Sequence, residues 1–275
     1  MPARVTLPVA MAEPMWTEVT ASQERFDSKE QVMSKPLCVI VGSGEGLGRA
    51  LAAKFATCGF DLALISRSEK NSAVVIDAVA QINGASRARF FCADVTQPET
   101  LELAIGTITR EMGEIDLLIY NVRGSFADCE PLELSYDALE TVYRQEVIGA
   151  FAAAKAVLPG MISRSRGSIF FSSATAALRG SGTHPLYAIG KFGLRALSQS
   201  LSKAYARHGI HIVHFRLDCD LDTPIMQERY DQEYDPTKLA SPDAVAQSYW
   251  LTYQQPRSAW SNEVELRPYT EAWTY

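Results

Sequence analysis

The sequence is short of cysteine, histidine and positive charge, and each shortage narrows what the chain can be. Its five cysteines, Cys38, Cys58, Cys92, Cys129 and Cys219, are odd in number, widely spaced and form no C-x-x-C pair, which argues against a disulfide framework and a thiolate metal site. They read as reduced thiols, mostly in the core. The four histidines, His184, His208, His211 and His214, stand at no ligand spacing with cysteine or acid, so no metal is assigned. Lysine and arginine number 26 against 32 acids, for a net charge of -6 and a pI near 5.3. This excludes the diffuse basic surface that nucleic acid requires, though not a small basic pocket. No unbroken apolar run reaches the roughly 18 residues of a membrane-spanning helix. The chain is therefore expected to be soluble and cytosolic, without a nucleic-acid or membrane partner.

Residues 1–34 lack periodic apolar patterning. They carry Pro2, Pro8 and Pro14, and the stretch from Ser22 to Lys35 is mostly polar or charged. This segment reads as a mobile arm preceding one domain over 35–275. With 47% hydrophobic residues, the chain has ample material for a single core. From Pro36 onward short β-branched runs alternate with longer helical patterns, the signature of β-α-β units and a doubly wound parallel sheet of about seven strands. Buried parallel strands read as nearly unbroken apolar runs. Strands are expected at 37–41, 62–65, 88–92, 115–120, 168–171, 210–215 and 263–266. Helices are expected near 46–58, 71–82, 98–112, 135–159, 186–208 and 241–254. The stretch 218–239, rich in Asp, Tyr and Pro with weak periodicity, follows the sixth strand and is the candidate substrate lid.

Three clusters carry chemistry. Directly after the first strand comes Gly42-Ser43-Gly44-Glu45-Gly46-Leu47-Gly48, opening a helix. Glycines let the backbone turn tightly and approach a pyrophosphate, while free amides at a helix start favour the anion. At the end of the second strand stand Ser66 and Arg67, where an NAD enzyme usually presents an acid to the ribose. An arginine there can fork onto a 2′-phosphate, or be an ordinary exposed charge. The third cluster is Tyr187-Ala188-Ile189-Gly190-Lys191, following Ser172-Ser173 at the end of the fifth strand. Residues four apart share a helix face, so the Lys191 ammonium can lie close to the Tyr187 phenol. A nearby cation favours the phenolate and is expected to lower the ordinary tyrosine pKa of about 10, making Tyr187 a proton donor or acceptor near neutral pH.

With these motifs the chain resembles the short-chain dehydrogenase/reductase family from about Pro36 to Met226, and more weakly to its end. The resemblance implies a Rossmann-like fold and an NAD(P)-dependent oxidoreductase interconverting a carbonyl and a secondary alcohol. In that family a serine hydroxyl holds the substrate oxygen, a tyrosine exchanges the proton, and a lysine lowers the tyrosine pKa and grips the nicotinamide ribose. Those roles would fall on Ser173, Tyr187 and Lys191. Gly42, Gly46 and Gly48 match the family's phosphate loop. Asp94 matches an acid on the adenine amino group, Asn121 an asparagine lining the adenosine site, and Thr223 a threonine holding the carboxamide. A homodimer or homotetramer packed through the helices near 135–159 and 186–208 is also implied.

Departures accompany the matches. Glu146 replaces the family's catalytic asparagine, Arg123 stands where a glycine belongs, and Asp218-Cys219 replaces a proline-glycine pair. Arg67 favours NADP(H) over NAD(H), and Glu45 opposes it. Two other readings stay open: a catalytically impaired NAD(P)-binding regulatory or structural protein, and a redox-neutral isomerase or dehydratase using the same tyrosine. Trp250, Trp260 and Trp273 could line a substrate or subunit contact but fit plain packing better.

Overall fold

A computed structural model describes residues 35–82 and 86–272. The expected arm over 1–34 lies outside the described residues. The chain runs β1 (Leu37–Val41), α1 (Leu47–Thr57), β2 (Asp61–Ser66), α2 (Glu69–Ala80), β3 (Ala88–Cys92), α3 (Pro98–Met112), β4 (Ile115–Tyr120) and α4 (Tyr136–Tyr143). It continues through α5 (Gly149–Ser163), β5 (Gly167–Ala174), α6 (Pro185–Tyr205), β6 (Ile210–Leu217), α7 (Pro224–Tyr230), α8 (Pro242–Tyr253) and β7 (Glu263–Leu266). The seven strands form one sheet in the order β3-β2-β1-β4-β5-β6-β7, every pair parallel.

Both faces of this sheet are covered, which is why its central strands read as unbroken apolar runs. Successive side chains of a strand point to opposite faces, and β1 divides accordingly. Leu37, Val39 and Val41 join a core built with α3, α5 and α6. Cys38 and Ile40 join another, with Phe55 of α1, Val75 of α2 and Tyr249 of α8. Helix starts follow local chemistry: α3, α6, α7 and α8 each begin with proline, whose fixed φ and missing N–H suit the first turn. Ser135 and Ser241 cap α4 and α8 by accepting from Ala138 and Ala244 N–H.

Several expectations are corrected. The single helix expected over 135–159 is two helices joined by a π-helical turn, Arg144–Ile148, ending at Ser163. Although no unbroken apolar run exists there, Tyr136–Ser163 is long and apolar enough to cross a membrane by length and composition, with a mean hydropathy of 1.4 over one window. Its apolar character is used inside the protein, because Ala150, Ala153, Val157 and Met161 pack in the core beneath the sheet. The region 218–239 contains α7 and two single 3-10 turns, Asp231–Glu233 and Pro236–Lys238. Of the five cysteines, all free, only Cys38 is fully buried, and Cys92 is exposed. Trp250 packs edge-on against Phe55 and Phe60, and Trp260 stacks on His211 at 4.7 Å, so both serve packing. Trp273 lies outside the described residues.

Candidate active site

Strand order reverses between β1 and β4, so their carboxyl ends open a crevice where ligands bind in sheets of this kind. Gly42 turns there with φ 89°, and a Cβ on it would lie 2.6 Å from the Asn121 carbonyl oxygen. Only glycine fits. A Cβ on Gly48 would lie 2.9 Å from both the Gly42 oxygen and the Ser43 Cα, so α1 is held tightly against the loop. Asn121 locks the crevice by donating from its backbone N–H to Val41 O at 2.8 Å and from Nδ2 to Gly42 O at 3.0 Å. Gly46 caps α1 without a side-chain hydrogen bond, which leaves helix-start amides for an anion.

The cleft rising from this loop encloses about 900 Å³. Gly42, Gly46, Leu47, Gly48 and Asn121 line one part of it, and Ser173, Tyr187, Lys191 and Thr223 line another. The two parts approach closely where a Cβ on Gly46 would come within 3.4 Å of Thr223 Cγ2. Four expected cofactor residues are not among the lining. Ser43 is fully buried, with its hydroxyl 3.0 Å from that of Ser72, which lies 3.0 Å from that of Ser66. These hydroxyls tie the loop to α2. Arg67 is exposed beyond the end of β2. Asp94 closes a local turn, its Oδ1 accepting from the N–H and hydroxyl of Thr96 at 2.9 and 2.8 Å.

At the end of β5 the two adjacent serines diverge. The Ser172 hydroxyl pairs with Tyr249 Oη at 2.9 Å, whereas that of Ser173 is buried and has no hydrogen-bond partner among the described residues. A buried hydroxyl without a partner is costly, and Ser173 lines the cleft, where a ligand oxygen can supply one.

Tyr187 is half-buried in the first turn of α6, with Lys191 Nζ 5.6 Å from its ring centroid. The ammonium donates to Glu146 Oε2 at 2.8 Å, Val122 O at 3.2 Å and Ser172 O at 3.3 Å. Glu146 is fully buried, and its Oε1 accepts from Gly124 N–H at 2.6 Å. The expected lowering of the Tyr187 pKa is overturned. Burial holds the phenol above the ordinary tyrosine range; Lys191 and Arg123 pull it down while Glu146 and Asp220 push it up. The helical spacing revealed the cation but not the desolvation or the opposing carboxylates.

Arg123 packs its guanidinium over Phe126 at 4.8 Å and, more distantly, over Tyr187 at 6.0 Å. Phe126 in turn stacks on His184 at 4.1 Å. Phe126 was missed in the sequence, since one phenylalanine in an irregular loop carries no pattern. The other departures also acquire a place. Asp218 is buried at the end of β6, where Thr175 donates to it and Arg267 of the tail pairs with it at 2.6 Å. Two unusual segments thus answer each other. The start of the candidate lid is pinned by Tyr230 Oη donating to Asp220 at 2.7 Å and Tyr234 Oη to Asp222 at 3.0 Å. At Cys219 nearby, burial first, then Asp218, Asp220 and Glu271, push the thiol up to about 12 and so favour its protonated, less reactive form. No cluster able to hold a metal ion occurs among the described residues.

Fold and cleft together define a Rossmann-like α/β protein in which the glycine loop after β1 and the Ser173, Tyr187 and Lys191 side chains share one cleft. The family model for short chain dehydrogenases matches residues 36–233, and the chain belongs to that family as an oxidoreductase. It is 23% identical over 236 residues to an uncharacterized oxidoreductase of Staphylococcus epidermidis, covering 86% of this chain and 98% of that one. A short-chain dehydrogenase from Rhodopseudomonas palustris superposes with TM-score 0.70 at 29% identity, covering 85% of this chain and 99% of that one. L-Sorbose reductase from Gluconobacter frateurii, solved with NADPH and L-sorbose, superposes with TM-score 0.75 at 20% identity over 86% and 96% of the two chains.

Proposed function

We propose that this chain binds NADP(H) in the cleft and interconverts a carbonyl compound and a secondary alcohol, with Tyr187 exchanging the proton. The observation that carries this reading is the meeting, in one cleft, of a loop that admits only glycine at Gly42, a buried unpartnered hydroxyl on Ser173, and Tyr187 above a buried lysine. The nicotinamide supplies or accepts the hydride. The protein binds, orients and moves the proton. Gly42, Ser43, Gly46, Leu47 and Gly48 form the loop for the pyrophosphate, through backbone amides in the case of Ser43, whose hydroxyl is spent on Ser72. Ser66 and Arg67 at the end of β2 are assigned to the 2′-phosphate, Asp94 to the adenine, Asn121 to the adenosine side and Thr223 to the carboxamide. Ser173 holds the substrate oxygen, and Lys191 faces the nicotinamide ribose.

Tyr187→Phe is expected to lower turnover by about three orders of magnitude, at the centre of the range for a lost general acid, while NADPH affinity stays within a few-fold. A Phe variant that still turns over a carbonyl panel at the wild-type rate removes Tyr187 from the mechanism. The buried pairing of Lys191 with Glu146 favours a second reading, a cofactor-binding protein without turnover. Tight NADPH binding with no reduction across such a panel would select it. A second copy of this chain is proposed to cover Phe151 of α5 and Ile189 and Phe192 of α6, which are 48%, 40% and 43% exposed.

A further inference from the structure

The charge beneath Tyr187 is a pair. Lys191 and Glu146 are both buried, with 3% and 0% of their side chains exposed, and their charged atoms are 2.8 Å apart. Both Glu146 oxygens are engaged, one by the ammonium and the other by Gly124 N–H. The backbone is shaped around this carboxylate. A Cβ on Gly190, next to Lys191, would lie 2.7 Å from Glu146 Cγ, and one on Gly124 would lie 3.1 Å from Glu146 Oε1. The residue sits in the π-helical turn Arg144–Ile148, where Tyr120 Oη donates to the Gln145 carbonyl; such widened turns recur at functional sites.

We propose that Glu146 is a positioning residue that fixes the Lys191 ammonium and offsets its charge beneath Tyr187, so that the lysine no longer draws the phenol toward the phenolate. This rests on the oxidoreductase reading given above. The charges facing Tyr187 come from each surrounding segment: Lys191 from α6, Glu146 from the π turn, Arg123 from the segment after β4, and Asp220 from the segment after β6. Two cations oppose two anions, so burial tips the balance toward the neutral form. His184 stacks on Phe126, which meets Tyr187 edge-on at 5.0 Å. Asp218, Arg179 and Glu271 line the same cleft, and Asp218 is paired with Arg267. In the reductive direction the carbonyl carbon receives the hydride, its oxygen takes the Tyr187 proton, and the phenolate left behind is reprotonated from solvent. A phenol kept neutral suits that direction over a wide pH range and confines alcohol oxidation to alkaline pH.

The test is an ultraviolet titration of phenolate absorbance on the full chain without cofactor, with the Tyr187 signal isolated as wild type minus Tyr187→Phe. Glu146→Gln, compared with its own Tyr187→Phe double variant, is expected to move the Tyr187 midpoint down by at least about one pH unit, a tenfold loss of proton affinity. Glu146→Asn, the shorter neutral side chain, serves as a second variant if the Gln form does not show the wild-type circular dichroism. A midpoint unchanged or raised in a folded variant overturns the proposal. Because the titration needs no turnover, that outcome leaves the oxidoreductase reading standing, and that reading fails separately if Tyr187→Phe is fully active.

Discussion

The two ends of the cleft are built of different material. The cradle after β1 is backbone, where Gly42 and Gly48 are required because a Cβ would strike Asn121 or Ser43, and where the side chain that matters most, Asn121, bonds back to the loop itself. The corner around Tyr187 is assembled from side chains of distant segments: Arg123, Glu146, Ser173, Tyr187, Lys191 and Asp220. A backbone site tolerates wide variation around a few glycines, so its local sequence announces it. A side-chain site depends on which charges the fold brings together, and a residue such as Glu146 acquires its meaning only from a partner 45 positions away.

Substitutions can break this contrast at either end. The largest effect is expected at the cradle. Gly42→Val forces a branched side chain into φ 89° and against the Asn121 carbonyl, which should cost on the order of 3 kcal/mol of stability and abolish NADPH binding. A variant melting at the wild-type temperature with unchanged affinity would show that the loop is not the rigid cradle described.

A comparable effect in the scaffold is expected from pH. His214 on β6 is buried, neither ring nitrogen has a partner among the described residues, and burial brings its pKa down from 6.5 to about 4. The folded protein therefore favours the neutral ring, and stability present above the unfolded pKa is lost as pH falls from about 6.5 to 4, by up to about 3 kcal/mol. Urea midpoints measured across that window should fall, and His214→Leu should flatten the slope. An equally steep slope in that variant would place acid sensitivity elsewhere.

At the corner, Gly190→Ala places a methyl carbon 2.7 Å from Glu146 Cγ. It is expected to cost about 1 to 3 kcal/mol by overpacking and to reduce turnover more than NADPH affinity, and equal losses in both would mean the two ends of the cleft are not separable. The smallest effect is expected from Arg67, exposed at the end of β2. Arg67→Glu should weaken NADPH binding relative to NADH about tenfold, the scale of one charge-assisted contact. An unchanged ratio would assign the 2′-phosphate to another residue.

How far the chain could be read varied with the kind of structure. β1 and β4 fall on the residues expected from apolar runs, because burial on both faces writes itself directly into composition; the edge strands β3 and β7 also fall where expected, although only Phe91 of β3 and no residue of β7 is buried. β5 extends past Phe171 through Ser172, Ser173 and Ala174 because these pair with Phe215, Arg216 and Leu217 of β6; the ladder, not polarity, sets that boundary. The π-helical turn in the long helix left no mark in the periodicity. At the site, glycine spacing and the four-residue step from Tyr187 to Lys191 were legible. The direction of the Tyr187 shift was not, since a local cation is visible in sequence while desolvation by distant segments is invisible.

The order of elements, the parallel sheet, the glycine loop and the presence of a tyrosine one helical turn before a lysine are thus properties of the sequence itself, because each arises from local conformation or from burial of a contiguous run. The buried pairing of Lys191 with Glu146, the open hydroxyl of Ser173 beside the occupied one of Ser172, and the pairing of Asp218 with Arg267 were decided by tertiary structure alone. Charge and hydrogen-bond state depend on what surrounds a group in space, and those surroundings come from segments that the chain places far apart.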